Sequence, residues 1–203
     1  MRASGFMTTD VVTLHPLTSL KAAAATLADR NVASAPVVED DGRLVGIVSE
    51  LDLLAHDVPP DPLTRITPVP PDTSPLPRVV ADVMTREVVT LPPVADAALF
   101  LQHMLVDRIV CIPVTVGDRV VGVVSRRDLL RLFARPDAEI AADVEAAVAA
   151  ALPGEHWQAA VREGLVELPT TARTPQAEVA RRVAQSVPGV VRVLLSAGDQ
   201  PGG

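Results

Sequence analysis

The strongest constraint in this sequence is that one pattern of short blocks is written twice. Met7-Thr8, Val11-Val12-Thr13-Leu14 and Pro16 return as Met84-Thr85, Val88-Val89-Thr90-Leu91 and Pro93, each displaced by 77 residues. Pro36-Val37 returns at the same displacement as Pro113-Val114. Gly46-Ile47-Val48-Ser49 with Asp52-Leu53-Leu54 returns as Gly122-Val123-Val124-Ser125 with Asp128-Leu129-Leu130, displaced by 76. The lost residue falls in a turn, Asp40-Asp41-Gly42-Arg43 against Gly117-Asp118-Arg119, where an exposed loop absorbs a deletion. A chain written this way is expected to fold as two copies of one supersecondary unit.

Each copy reads β-α-β-β-α. Val11–Leu14 is a short β-rich run that stops before Pro16. Leu17–Asn31 carries Leu20, Ala23, Ala24 and Leu27 at helical spacing, with Thr18 or Ser19 as its cap. The counterpart, Val94–Arg108, carries Ala97, Ala98, Leu101, Met104 and Leu105. A hairpin follows, Pro36–Glu39 and Leu44–Ser49 about a glycine turn, and then a helix from Glu50 to Ala55. The second copy gives Pro113–Val116, Val120–Ser125 and Arg126–Ala134.

Between the copies, Val58–Pro77 holds eight prolines, which exclude a helix or a central strand. The segment reads as a semi-rigid connector, or as a lid over a ligand. After Pro136 the pattern changes. Ala138–Leu152 is an Ala-rich helix with Ile140, Val144, Val148 and Leu152 on one stripe, stopped by Pro153-Gly154. Trp157–Arg162 and Leu165–Leu168 flank the turn Glu163-Gly164. Gln176–Ser186 is a second helix with Val179 and Val183 inward, and Val190–Leu195 is a last strand. The expected fold class is α/β (α+β): repeats at 1–57 and 79–135, a linker at 58–78, and an α-β-β-α-β unit at 138–197. The tail Gly198–Gly203 is expected to fray.

The two copies resemble CBS domains, paired as a Bateman module. The resemblance rests on the leading Met-Thr and Val-Val-Thr-Leu blocks, on the Pro-Val strand start, and above all on Gly-apolar-apolar-Ser-x-x-Asp at Gly46–Asp52 and Gly122–Asp128. It covers about residues 1–135 and implies repeats stacked about a pseudo-twofold axis, with adenine nucleotides in the clefts. In that frame Asp52 and Asp128 accept hydrogen bonds from ribose hydroxyls, and Ser49 and Ser125 stand where a helix N-terminus favours an anion. Ala35-Pro36 and Ile112-Pro113, with Thr13 and Thr90, sandwich the adenine. Arg126 and Arg127 supply phosphate charge in the second copy, where Glu50 and Leu51 of the first cannot, so the second cleft is favoured. A second reading stays open for the same residues: Ser followed three residues later by Asp is a helix-capping arrangement that needs no ligand. Arg126 and Arg127 fit a solvated helix start equally well.

The carboxy-terminal unit resembles a BON domain through Val161–Leu168 and Val187–Val193, although Pro169-Thr170-Thr171 stands where that family carries a glycine. This resemblance implies membrane or phospholipid association.

Composition narrows the function classes. Aromatic residues make up 2% of the chain, the formal net charge is −7 and the pI is about 5.0, which argues against base-stacking platforms and phosphate-backbone binding. Cys111 is the one cysteine and sits in the apolar run Ile109–Val114, where a buried inert thiol is expected. His15, His56, His103 and His156 have no metal-ligand spacing, and there is no Walker loop, GxGxxG or GxSxG. Trp157 reads as core of the last unit. No signal peptide or membrane-spanning run is visible, so a cytoplasmic location is expected. The reading is a non-enzymatic regulatory protein with no required cofactor. It would sense AMP, ADP or ATP, dimerise with itself through the CBS pair, act on an unknown regulated protein and leave nucleic acid alone. The alternative is a structural or interaction protein with empty clefts, whose BON-like domain binds phospholipid or an envelope component.

Overall fold

The computed structural model describes residues 1–57, 77–170 and 174–197. Most of the proline-rich segment, residues 58–76, and the tail at 198–203 lie outside the described residues. The chain divides into two compact units. One comprises Met7–Pro93 and Gln102–Ser125; the other comprises Met1–Phe6, Val94–Leu101 and the chain from Arg126 on.

In the first unit, Ser19 caps α1 (Leu20–Asp29), its hydroxyl accepting the Ala22 N–H at 3.2 Å. The helix buries Leu20, Ala23 and Leu27, the spacing expected of one apolar face. They meet Ala35 and Val37 of β1 (Ser34–Val38), Val48 of β2 (Leu44–Ser49), Leu53 of α2 (Glu50–Asp57) and Val80 of the short helix α3 (Val80–Val83) in one core. Strands β1 and β2 pair antiparallel, with Ala35 opposite Val48 and Ser34 opposite Ser49. In the second repeat β3 (Cys111–Val116) and β4 (Arg119–Ser125) pair in the same way, with Ile112 opposite Val124 and Cys111 opposite Ser125. The leading β-rich run of each repeat makes a single parallel bridge, Leu14 to Val37 and Leu91 to Val114.

A two-stranded hairpin is marginal by itself in water, and each hairpin here is extended on both sides. On the β1 side lies Leu14 of the same repeat. On the β2 side lies Thr85 of the other repeat, exchanging two backbone hydrogen bonds of 2.9 Å with Ile47. Thr8 of the first repeat exchanges the same pair of 2.9 Å bonds with Val123 of β4. The leading Met-Thr of each repeat thus crosses the central glycine of the other. A Cβ at Gly46 would stand 2.5 Å from Met84 Sδ and 3.1 Å from the Thr85 carbonyl oxygen; at Gly122 it would stand 2.6 Å from Met7 Sδ and 3.2 Å from the Thr8 oxygen. Close approach of a second backbone segment is what demands glycine here.

Helix α4 (Ala97–Val106) buries Ala97, Phe100 and Met104. The expected face through Leu101 and Leu105 is not the buried one: Leu105 is 71% exposed and Leu101 38%. The helix is apolar nearly all round, so its periodicity does not choose a face, and the bulky Phe100 takes the interior.

The other unit holds the carboxy-terminal elements. Strands β5 (Ala160–Arg162), β6 (Leu165–Thr170) and β7 (Arg192–Ala197) form one sheet in that order, antiparallel between β5 and β6 and parallel between β6 and β7. A parallel neighbour needs a crossover, which α7 (Pro175–Ser186) supplies. Helix α6 (Asp137–Ala151) contributes Ile140, Val144 and Val148 to the core, with Val166, Leu168 and Val193 from the sheet. Helix α7 turns Ala177, Ala180 and Ala184 inward; Val183 is partly buried, whereas Val179, expected inward, is 41% exposed. Three alanines at helical spacing make a flat face that packs closely, and this outweighs the larger valine. The Glu163-Gly164 turn has φ of 50° and 72°, the left-handed pair of a type I′ hairpin. Its two N–H groups are received by the Asp137 carboxylate at 2.7 and 3.0 Å.

Gly46→Ala and Gly122→Ala are each expected to cost about 1–3 kcal/mol by overpacking, more than the roughly 0.4–1 kcal/mol gained from a less flexible unfolded chain. Denaturant unfolding measures this, and Met84→Ala in the Gly46→Ala background should recover part of the loss. A second expectation concerns pH. The Arg78 and Val79 N–H groups, donating to Asp82 at 2.8 and 3.1 Å, hold its carboxyl below the ordinary 3.8. A lowered folded pKa adds stability above the ordinary value and loses it as pH falls through the folded one. The gap in thermal midpoint between wild type and Asp82→Asn should therefore close below that range.

Candidate functional site

The Ser-x-x-Asp motif of the first repeat lies where β2 runs directly into α2. Ser49 is the last residue of the strand and Asp52 lies in the first turn of the helix. Three hydrogen bonds tie them. Asp52 Oδ2 accepts the Ser49 N–H at 2.7 Å and the Ser49 hydroxyl at 2.7 Å, and the Ser49 hydroxyl receives the Asp52 N–H at 3.3 Å. The capping reading of these residues is thus realised: each side chain satisfies a backbone N–H that the first turn leaves unpaired. All three bonds use the hydroxyl or Oδ2. Oδ1 of Asp52, a half-buried residue, has no partner among the described residues.

The remaining first-repeat residues gather at the same end of the hairpin. Ser34, buried, pairs opposite Ser49, and the Glu50 N–H donates to the Ala33 carbonyl at 3.0 Å. Ala35 and Pro36 follow along β1. Thr13 precedes Leu14, whose N–H donates to the Pro36 carbonyl at 3.0 Å and whose carbonyl accepts the Val38 N–H at 2.9 Å. Thr13 is exposed, while Ala35 is fully buried in the core. Ser34, Ala35, Pro36 and Val37 of β1 are buried as whole residues, so of Thr13, Ala35 and Pro36 the exposed one is Thr13.

In the second repeat the same register puts Cys111 opposite Ser125 and Ile112 opposite Val124, with Pro113 next along β3. Thr90 precedes Leu91, which brackets β3 through Leu91 N–H to Pro113 O at 3.2 Å and Thr115 N–H to Leu91 O at 3.0 Å. Ile112 is fully buried. Arg126, Arg127 and Asp128 open α5 (Arg126–Phe133), the first two exposed and Asp128 buried. Arg131, one turn on, stands 3.6 Å from Asp128 Oδ1; the equivalent position in the first repeat is Ala55. Sequence reasoning passed over Arg131 and gave Ser34 no role. The spacing of three residues from Asp128 to Arg131 was the available signal for the first.

Among the described residues no group of three or more His, Cys, Asp or Glu side chains is placed to hold a metal ion. Nor is any helix among them long and apolar enough to cross a membrane.

Comparison with known proteins identifies the repeated unit. The CBS domain family matches residues 3–59 and 80–135, more than half of the chain. Inosine-5'-monophosphate dehydrogenase of Thermoplasma acidophilum is 32% identical over 144 residues, which are 70% of this chain and 26% of that enzyme. The chain thus spans about a quarter of that relative. Among solved structures, the CBS domain pair of protein MJ0100, in complex with methylthioadenosine and S-adenosyl-L-methionine, superposes with a TM-score of 0.54 at 25% identity, covering 66% of this chain and 96% of that one. CBSX2 of Arabidopsis thaliana in complex with AMP gives a TM-score of 0.52 at 24% identity, covering 64% and 93%, a likeness of fold. Two matched copies in tandem, with their hairpins reciprocally bridged, make a CBS pair, a regulatory rather than catalytic kind of module, and the chain belongs to the CBS domain family.

Proposed function

We propose that this protein is a non-enzymatic regulator that senses an adenine nucleotide, of the AMP, ADP or ATP kind, in its CBS pair and passes the bound state to a partner. The observation that carries this reading is the divided Asp52 carboxylate. One oxygen is spent on capping α2 and the other has no partner among the described residues, so the cap would fix the very group that reads the sugar. A positioned carboxylate of this kind contributes about 1.5–3 kcal/mol per charge-assisted bond. Thr13, exposed beside β1, would flank the base. Asp128 would serve the second repeat, with Arg126 and Arg127 against the phosphate. A homodimer formed through the CBS pair is part of this reading, and so is a cytoplasmic location.

Calorimetric titration with AMP, ADP, ATP and S-adenosylmethionine tests it. Asp52→Ala and Asp128→Ala should each weaken binding at their own site by about 10- to 150-fold. Asp52→Ala should also lower ligand-free stability by about 0.5–2 kcal/mol through the lost cap, so the two roles separate. A folded wild type that binds none of these ligands at millimolar concentration would sink the reading.

A second reading concerns the carboxy-terminal unit, proposed here as BON-like and phospholipid-binding. It is favoured by Arg162 and Arg192, which flank Leu165 in one row across the sheet. Both arginines are exposed, on a face without helices, and neither has a hydrogen-bond or ion-pair partner among the described residues. Each arginine near an anionic surface is worth about 1 kcal/mol. The Arg162→Gln/Arg192→Gln double variant should therefore bind phosphatidylglycerol vesicles roughly 30-fold less well than wild type. Equal binding to phosphatidylcholine and phosphatidylglycerol vesicles would rule this reading out.

A further inference from the structure

We infer that the carboxy-terminal α-β-β-α-β module is itself the receiver of the nucleotide signal, driven by α5 through a clamp at Arg135. The inference rests on the nucleotide reading above and adds the route by which the bound state leaves the CBS pair.

The route lies within one compact unit. Helix α5 begins with Arg126, Arg127 and Asp128, the residues proposed to meet the nucleotide, and runs about 12 Å at 1.5 Å per residue. Its backbone bonding continues to the Ala134 N–H, which donates to Leu130 at 2.9 Å. Helix α6 takes over at once, the Pro136 carbonyl accepting from Glu139 at 3.0 Å and from Ile140 at 3.1 Å. Ala134, Arg135 and Pro136 are all that stands between the two helices.

Arg135 is held on both sides. One terminal nitrogen of its guanidinium donates to the Pro188 carbonyl, and the other donates to the Asp143 carboxylate of α6 at 2.6 Å. Its side chain is 22% exposed. The neighbouring Gly189 bears no side chain for a spatial reason: a Cβ there would lie 2.7 Å from Ile140 Cδ1 and 3.4 Å from the Leu132 carbonyl oxygen of α5. Gly189 has φ 95° and is buried, and Leu132 and Ile140 are 3% and 2% exposed. The Pro188-Gly189 bend, which leads into β7, is therefore seated between the end of α5 and the start of α6. The amino-terminal segment meets the same bend, with a Cβ at Gly5 falling 3.4 Å from Pro188.

A connection this short, clamped by two hydrogen bonds from Arg135, has little slack. A shift or rotation of α5 cannot be absorbed in a loop; it displaces the Pro188-Gly189 bend, α6, or both. A packed junction of this kind has discrete arrangements rather than continuous ones, which is what a two-state relay needs.

Trp157, the one tryptophan of the chain, packs against the module's own core and reports on it directly. In the full-length protein, AMP, ADP, ATP and S-adenosylmethionine are titrated twice, by calorimetry and by Trp157 emission with amide exchange over β6 and β7. The expected result is a change in emission and exchange that saturates with the calorimetric binding curve. Arg135→Ala, and separately a two-glycine insertion after Ala134, should keep binding within about tenfold of wild type and lose that change. Arg135→Lys should retain part of it. Calorimetric heat with no response at Trp157 or in the sheet overturns the inference and leaves nucleotide binding standing. An undiminished response in both clamp variants overturns it as well. No heat with any of the four ligands removes the nucleotide reading, and the relay with it.

Discussion

At Gly46 and Gly122 another segment of the chain passes so close to a strand that no side chain fits, and the CBS pair depends on that crossing. Each hairpin is only two strands wide, too narrow to persist alone. Each gains one flank from its own repeat, through Leu14 or Leu91, and the other flank from the opposite repeat, through Thr85 or Thr8. The exchange is reciprocal, so removing one repeat would strip the other of a strand partner as well as of apolar contacts. The tandem is better regarded as one folding unit written twice than as two domains joined by a linker. This accounts for the pairing of Met-Thr with glycine in the repeated pattern: methionine and glycine are the two halves of one contact, divided between copies.

The crossing also explains where chemistry can sit. With β2 and β4 each held on both edges, their carboxyl ends are fixed, and each runs without a loop into a helix whose first turn carries the aspartate. A helix start exposes unpaired N–H groups whatever its sequence. The Ser-x-x-Asp motif answers that demand with the smallest side chains able to do so. In the first repeat it does so with one carboxylate oxygen, and the second has no partner among the described residues. Capping and ligand contact are therefore compatible uses of one residue, and the capping geometry alone does not decide against a ligand.

What the sequence made legible follows from which interactions are local. Hairpin strands, their glycine turns, the Ser19 cap and the apolar stripe Ile140, Val144, Val148 depend on neighbours within a few positions, and the element order β-β-α of each copy could be read from them. The crossing of Met84 over Gly46 could not, because nothing near either residue encodes a partner 38 positions away. Two helix faces were also out of reach, for opposite reasons. Helix α4 is apolar on every side, so periodicity carried no information and Phe100 went unnoticed. Helix α7 offers valines and alanines, and hydrophobicity favoured Val179, whereas close packing against the sheet favoured Ala177, Ala180 and Ala184. At the site, the motif residues and their capping bonds were legible, but the burial of Ala35 and Ile112 was not, since it depends on which side of β1 and β3 faces the core.

The two motifs share a pattern and differ in surroundings, and the difference lies mostly one turn downstream. Asp52 is followed at that distance by Ala55 and is half-buried; Asp128 is followed by Arg131 and is 6% exposed. An arginine beside a buried carboxylate competes for the oxygen that a ribose would use, and it also adds to the positive charge begun by Arg126 and Arg127. On the proposed reading, the second motif would be the weaker reader of neutral hydroxyls and the stronger attractor of phosphate, and the first the reverse. The second motif continues through α5 and Arg135 into α6, so on the proposed reading the copy with the charge would also carry the mechanical output. The two motifs share one frame, and the residues at positions 126, 127 and 131 make them unequal.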